Sequence, residues 1–355
     1  MSRSILLGAL WVIVLAATRG LGQAPAAKPP AAVVPEEPAP LLRLEAGGPT
    51  AYVTALAFSP NGKTLYAAGF DKVIRVWNLN EQTGQFTLDP WAYRVPIGPG
   101  QRGVINVLTV SPDGLWLAAS GRGVFRQGAG FSAPGRVVEP TAQSSEMRKD
   151  QATIYLFQTQ THALRVLRGH EGYVLRMAFA PALEGKPPLL VSAAQEPAKR
   201  PDELVERLCL WDVTKAAYRD NQGALVDAGA LVRERILDTR PHANIGLAVR
   251  HAGQGREQVR VAIAWSDGRL RIWDSVRDEL TDAADGLPEW NNMASWTSGS
   301  EVLTGSVVQE DRFTGGRLQI WYDAPGQKPE ARLTRALQAP EGYKLVLPRA
   351  LALFA

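Results

Sequence analysis

The sequence predicts an all-β fold built from about five complete copies of one four-stranded unit, followed by the start of a sixth. Three observations point there. From residue 41 onward, short apolar runs alternate with turns rich in Gly, Pro, Asn and Asp. A Ser-Pro-[Asn/Asp]-Gly turn occurs twice in equivalent places, at residues 59–62 and 111–114. Five aromatic residues, Trp77, Phe157, Trp211, Trp273 and Trp321, close corresponding strands in register. The 3.6-residue apolar period of packed helices is missing, which leaves strands as the periodic element.

Each unit follows from its residues in order. In the first, 52–58 reads as a strand, Asn61-Gly62 as a turn and 63–69 as a second strand. A tight turn at Asp71 then leads into a third strand ending at Trp77. Pro60 and Gly62 lie between the strands rather than inside them, as the missing Pro donor and the conformational freedom of Gly require. The second unit repeats this over 104–110, 115–120 and 153–157, and the third over 173–181, 189–194 and 208–212 after Gly169-His170. His242, 245–249, 259–265, an Asp267-Gly268 turn and 270–274 form the fourth; 293–297, 301–305 and 318–323 form the fifth. Further short runs at 162–167, 233–237 and 331–337 supply fourth strands. The run 345–354 reads as the first strand of a sixth unit, leaving the candidate strand 41–45 without a host in the fifth. The expectation is therefore an incomplete ring and a chain cut from a longer one. The alternative is a five-unit ring in which the last segment packs on 41–45.

Gly169-His170 followed by Trp211-Asp212 about 40 residues later, together with Trp273-Asp274 and the variant Trp77-Asn78, resembles the WD40-repeat family in a divergent, secreted bacterial form. The resemblance spans about residues 41–337 and implies a β-propeller of four-stranded blades. It also implies a hydrogen-bonded set of His, Ser or Thr, Asp and strand-end Trp in each blade. Asp71 and Asp267 stand six residues before Trp77 and Trp273, but Gln151, Val205 and Gly315 hold that place in the other units. His170 and His242 take the loop position in only two, so by this spacing no unit shows the full set.

The N-terminal segment has a different character. Arg3 followed by the apolar run 5–17 and small residues at Gly20 and Gly22 reads as a signal peptide over 1–22. That run is shorter than the roughly 20 apolar residues a membrane span needs; an uncleaved anchor is the alternative. Residues 23–40, rich in Pro and Ala, read as an extended linker, and 41–355 as the repeat domain. The expected location is exported, periplasmic or secreted, with no stable membrane insertion once the leader is removed.

Chemistry-bearing patterns are sparse. The formal net charge is +4, and loss of Arg3 and Arg19 would lower it further, which argues against nucleic acid as partner. One cysteine, Cys209, sits in an apolar run and reads as structural. The four His residues lack metal-ligand spacing, and no nucleophile motif precedes a helix, so no catalytic residue, metal or cofactor is expected. Long insertions at 121–150, 195–206 and 306–316 follow the second strands; such loops are usually functional or disordered. The first carries Arg122, Phe125, Arg126, Phe131, Arg136 and Arg148 and is the candidate partner-binding loop; an ordinary surface loop is the bland alternative. The expected function is a non-catalytic protein-interaction scaffold. A sensor or regulatory domain of a larger protein is the main alternative, and a propeller enzyme the third.

Overall fold

In the computed structural model the described residues are 47–98, 100–122, 152–197, 204–220, 222–237, 244–265, 269–282, 290–297, 300–310, 313–323 and 329–337. The expected signal peptide (1–22), linker (23–40), strand 41–45 and sixth-unit strand 345–354 lie outside them. So do Asp267 and His242.

The described chain forms five four-stranded antiparallel sheets, each following chain order from first strand to fourth. Sheet I holds β1 (Val53–Phe58), β2 (Thr64–Gly69), β3 (Val73–Asn80) and β4 (Gln85–Arg94). Sheet II holds β5 (Ile105–Val110), β6 (Trp116–Gly121), β7 (Ile154–Gln158) and β8 (Leu164–Leu167). In sheet III, β9 (Tyr173–Phe179), β10 (Leu189–Pro197) and β11 (Leu204–Asp212) are followed by a two-stranded insertion, β12 (Tyr218–Arg219) and β13 (Leu225–Val226), before β14 (Leu231–Leu237). Sheet IV holds β15 (Asn244–His251), β16 (Val259–Trp265), β17 (Leu270–Asp274) and β18 (Glu279–Asp282). Sheet V holds β19 (Trp290–Trp296), β20 (Glu301–Glu310), β21 (Phe313–Tyr322) and β22 (Glu330–Leu337).

The repeated turn works the same way twice. Ser59 Oγ accepts from Thr64 N at 2.9 Å while Gly62 N donates to Ser59 O at 2.8 Å. Ser111 Oγ accepts from Trp116 N at 2.9 Å and Gly114 N donates to Ser111 O at 2.8 Å. The serine seeds the turn, and the glycine closes it at φ 71° and 73°, a region costly for a residue with a Cβ.

Strand residues alternate between faces, and in the inner sheets both faces are apolar. Leu117 and Ala119 of β6 pack toward Tyr66, Ile74 and Tyr93 of sheet I. Trp116 and Ala118 pack the other way, toward Val174, Met177 and Trp211 of sheet III. Leu208 and Leu210 of sheet III meet Val261, Ile263 and Trp273 of sheet IV, while Leu270 and Ile272 meet Val302 and Trp321 of sheet V. First strands of successive sheets touch one another, β1 on β5, β5 on β9, β9 on β15 and β15 on β19. Ion pairs clip the stack: Arg256 of sheet IV holds Asp212 of sheet III through two bonds of 2.9 Å, and Arg250 and Arg260 hold the buried Asp323 at 2.8 and 2.6 Å. Against the raising effect of its burial, the Arg256 and Thr214 bonds draw the Asp212 carboxyl down to about 2.

Two expectations need correction. Among the described residues, the segments 195–206 and 306–316 extend their hairpins instead of forming loops, paired as far as Pro197 with Leu204 and Glu310 with Phe313. Backbone pairing does not require apolar side chains, so polar composition hid these arms. The β12–β13 hairpin was not foreseen, because each of its strands has only two residues. On sheet I the outer side of β1 is exposed, Leu56 by 62% and Phe58 by 56%, on the side opposite the one packed against sheet II.

Leu210 is fully buried at the junction of sheets III and IV. Leu210→Ala is expected to lower unfolding free energy by about 2–5 kcal/mol, read by urea denaturation; a loss well under 1 kcal/mol would contradict the described packing.

Candidate functional site

The strand-end aromatics first had to be separated from any binding role. In sheet III, Gly169 brings the loop close over Trp211 and places His170 inside the sheet, 1% exposed. His170 Nε2 lies 2.7 Å from Ser192 Oγ, which receives the Trp211 indole N–H at 2.7 Å, and His170 Nδ1 lies 2.6 Å from Glu196 Oε1. Trp211 can only donate to Ser192. Burial lowers the His170 pKa, against the opposing pull of Glu196, and so favours the neutral ring. In that ring Nδ1–H donates to the carboxylate and Nε2 accepts from Ser192.

The spacing rule that found Val205 before Trp211 therefore missed a complete set. The long β10–β11 hairpin delivers the carboxylate from β10 instead of from a tight turn. Cys209 lies beside the set, 3.9 Å from His170 Nδ1, and burial raises its thiol pKa, which keeps it protonated. The other sheets differ. Trp321 donates to Thr304 Oγ1 at 3.0 Å and Trp273 to Asp278 Oδ1 at 3.0 Å. Asp71 receives Thr50 N at 3.2 Å and pairs with Arg75, Phe157 packs in the core shared by sheets I and II, and Trp77 is half-buried.

A cleft of about 580 Å³ opens elsewhere, between sheets I and II, at the end of the sheets where the Ser-Pro-Asx-Gly turns lie. Its chemistry comes from β4 and from the turn between β7 and β8. On β4, Arg75 pairs with Ala92 but Trp77 with Leu88, so the segment around Asp89, Pro90 and Trp91 bulges out of the ladder. Pro90 has no N–H to pair, which suits it to this place. The bulge leaves Trp91 51% exposed. Asp89 accepts from Trp91 N and from Asn78 Nδ2, each at 2.8 Å.

Across the cleft, His162 adopts φ 59°, uncommon for a residue with a side chain. Its ring stacks 4.6 Å from Trp91 and 5.4 Å from Tyr93, and its Nδ1 is 3.1 Å from the Tyr93 hydroxyl. Thr159 ties that turn to the next one, donating to Gly114 O at 2.7 Å. Asp113 faces the same space and accepts from Leu115 N at 3.0 Å. Burial, reinforced by Tyr66 and Asp89, raises the Tyr93 pKa to about 12.

The sequence pointed to the opposite end. Strand β6 leaves the cleft at Trp116 and reaches the 121–150 insertion at its far end. Of the candidate loop residues, only Arg122 is described; it is exposed, with its guanidinium 5.5 Å from the ring centroid of Tyr173. Phe125, Arg126, Phe131, Arg136 and Arg148 lie outside the described residues. The cleft left one sequence signal: Trp91, directly after a proline, occupies no strand-end position. Among the described residues, no group of three or more His, Cys, Asp and Glu is placed to hold a metal ion.

Comparison with known proteins agrees with this architecture. Residues 40–78 match the family described as WD domain, G-beta repeat. The chain is similar to the small ribosomal subunit protein RACK1 of Schizosaccharomyces pombe, with 36% identity over 79 residues, 22% of this chain and 22% of the relative. It is also similar to the proteins of that name from Candida albicans, with 33% identity over 73 residues (21% and 20%), and Caenorhabditis elegans, with 33% over 78 residues (21% and 20%). The match spans about a fifth of the length of each relative.

Ser192→Ala would strand two buried partners, and a loss of about 1–3 kcal/mol is expected in denaturant titration. Because the folded His170 holds its proton less tightly than the unfolded chain, stability present above the ordinary value of 6.5 is lost as pH falls below it. Wild type should therefore lose more stability between pH 7.5 and 5.5 than His170→Gln; equal losses would refute the neutral imidazole.

Proposed function

We propose that this chain is a non-catalytic protein-interaction scaffold built on WD40 repeats and acting outside the cytoplasm. One observation carries the binding role: a cleft between stacked sheets, preformed by a β-bulge, presents a half-exposed tryptophan on a rigid base. Sheets that bury both faces change shape little, so the groups displayed at their ends keep fixed spacings, and function in such folds lives in what the frame displays. The relatives support the same direction. RACK1 is named as a small ribosomal subunit protein, a component of a larger assembly, and this chain shares one stretch of it. Export rests on the N-terminal residues, where Arg3 precedes the apolar run 5–17.

The second reading is a sensor or regulatory domain of a longer protein. The exposed outer side of β1 favours it, since Leu56 and Phe58 are apolar side chains placed to meet a further partner.

A photo-crosslinking residue at position 91, with a second at position 122, tests the scaffold. Site-dependent capture of one stoichiometric protein, lost on competition with unlabelled chain, is expected. Adducts scattered over many proteins at both positions, or none at either, would overturn it.

A further inference from the structure

We infer that the cleft between sheets I and II receives a cationic side chain, lysine or arginine, presented by an extended segment of a protein partner. The inference deepens the scaffold reading and rests on it for the partner's class, though not for the charge of the group bound.

The argument begins with how this protein treats its carboxylates. Where acids lie at sheet junctions, arginine neutralises them: Arg256 holds Asp212, Arg250 and Arg260 hold Asp323, and Arg235 holds Asp278. Asp89 and Asp113 do not follow that rule. Their bonds go to neutral donors, Asn78 Nδ2 and the Trp91 N–H for Asp89, the Ser111 hydroxyl and the Leu115 N–H for Asp113. Among the described residues, no lysine or arginine lines the cleft. Two carboxylates thus share a concave space with no cation among the described residues to answer them.

The aromatic wall supplies the second half of the recognition. Trp91 is 51% exposed although sheet pairing does not demand it, because the Pro90 bulge lifts the residue out of the ladder. Leaving so much indole in water is unfavourable, and covering it with a ligand would relieve that. His162 lies against the ring from one side and is itself held by Tyr93, so the platform is oriented before any ligand arrives. Among aromatic rings, an indole face attracts lysine and arginine most strongly. A guanidinium laid on Trp91 within reach of the acids would combine stacking with charge-assisted hydrogen bonds. The raised Tyr93 pKa reports the same field, since Asp89 adds to burial in disfavouring the phenolate. At about 580 Å³ the cleft exceeds one side chain, leaving room for the flanking backbone of an extended peptide.

The test uses the full chain and small probes. N-acetyl-arginine amide is titrated against the Trp91 indole N–H resonance, assigned with Trp91→Phe, beside its neutral isostere N-acetyl-citrulline amide. A saturable shift with arginine is expected, at least fivefold weaker with citrulline and weakened severalfold between 50 and 500 mM salt. Asp89→Asn with Asp113→Asn keeps the turn-forming acceptors and should weaken arginine at least fivefold, with the thermal midpoint reported alongside. Equal binding of citrulline, insensitivity to salt, or unchanged affinity in a folded double variant would each overturn the inference. So would a shift produced by a neutral oligosaccharide and not by arginine, which would make the site a sugar platform. Because the probes are free amino-acid amides, their binding is scored separately from capture of any partner protein.

Discussion

The structure depends on mutual burial of sheets that each have two apolar faces. Leu117 and Trp116 are neighbours in one strand yet belong to different cores, one shared with sheet I and the other with sheet III. A single four-stranded sheet with this sequence would expose both of those faces, and apolar surface left in water is unfavourable. Stacking removes the difficulty for sheets II, III and IV, whose second strands are buried along nearly their whole length. Sheet I shows what an uncovered flank looks like, with Leu56 and Phe58 more than half exposed. Stability in this arrangement is largely a sum over neighbouring contacts, so a defect in one junction is felt chiefly by the two sheets that share it.

Most polar groups inside the stack are led to a partner; the buried indole N–H of Trp265 is an exception, with no hydrogen-bond acceptor among the described residues. The indole N–H of Trp211 begins a chain through Ser192 and His170 to Glu196, and every donor in it has an acceptor. Trp321 and Trp273 solve the same problem with one bond each, to Thr304 and Asp278. Phe157 has no such group to satisfy. The sheets are therefore equivalent in backbone and individual in their polar interiors, which explains why side-chain spacing alone is a poor guide to which set is complete.

Much of the fold was legible in the sequence. The two Ser-Pro-Asx-Gly turns, the five strand-end aromatics and the both-faces-apolar runs each have a local cause, and local causes leave local patterns. The fourth strand at 331–337 was recovered to within one residue. The long arms of β10–β11 and β20–β21 were missed because ladder bonds between backbones are indifferent to side-chain polarity. The Glu196 partner of His170 was missed because a hairpin's length, and not its composition, decided which carboxylate reached the imidazole. The cleft was hidden for a further reason. Asp89, Trp91, Asp113 and His162 come from different sheets or turns and meet only once sheets I and II are stacked.

What the frame displays follows from what it hides. Residues committed to the stack cannot also bind, which leaves the turns, the insertions and the bulged fourth strand to meet other molecules. Native-state hydrogen exchange tests the mutual-burial account most directly, by comparing second strands, which all have hydrogen-bonded neighbours on both sides. If coverage of both faces sets stability, amides of β10 and β16 should exchange only through the largest opening, and those of β2, whose neighbour β1 has an exposed outer side, at least tenfold faster. Equal protection of β2, β10 and β16 would contradict it.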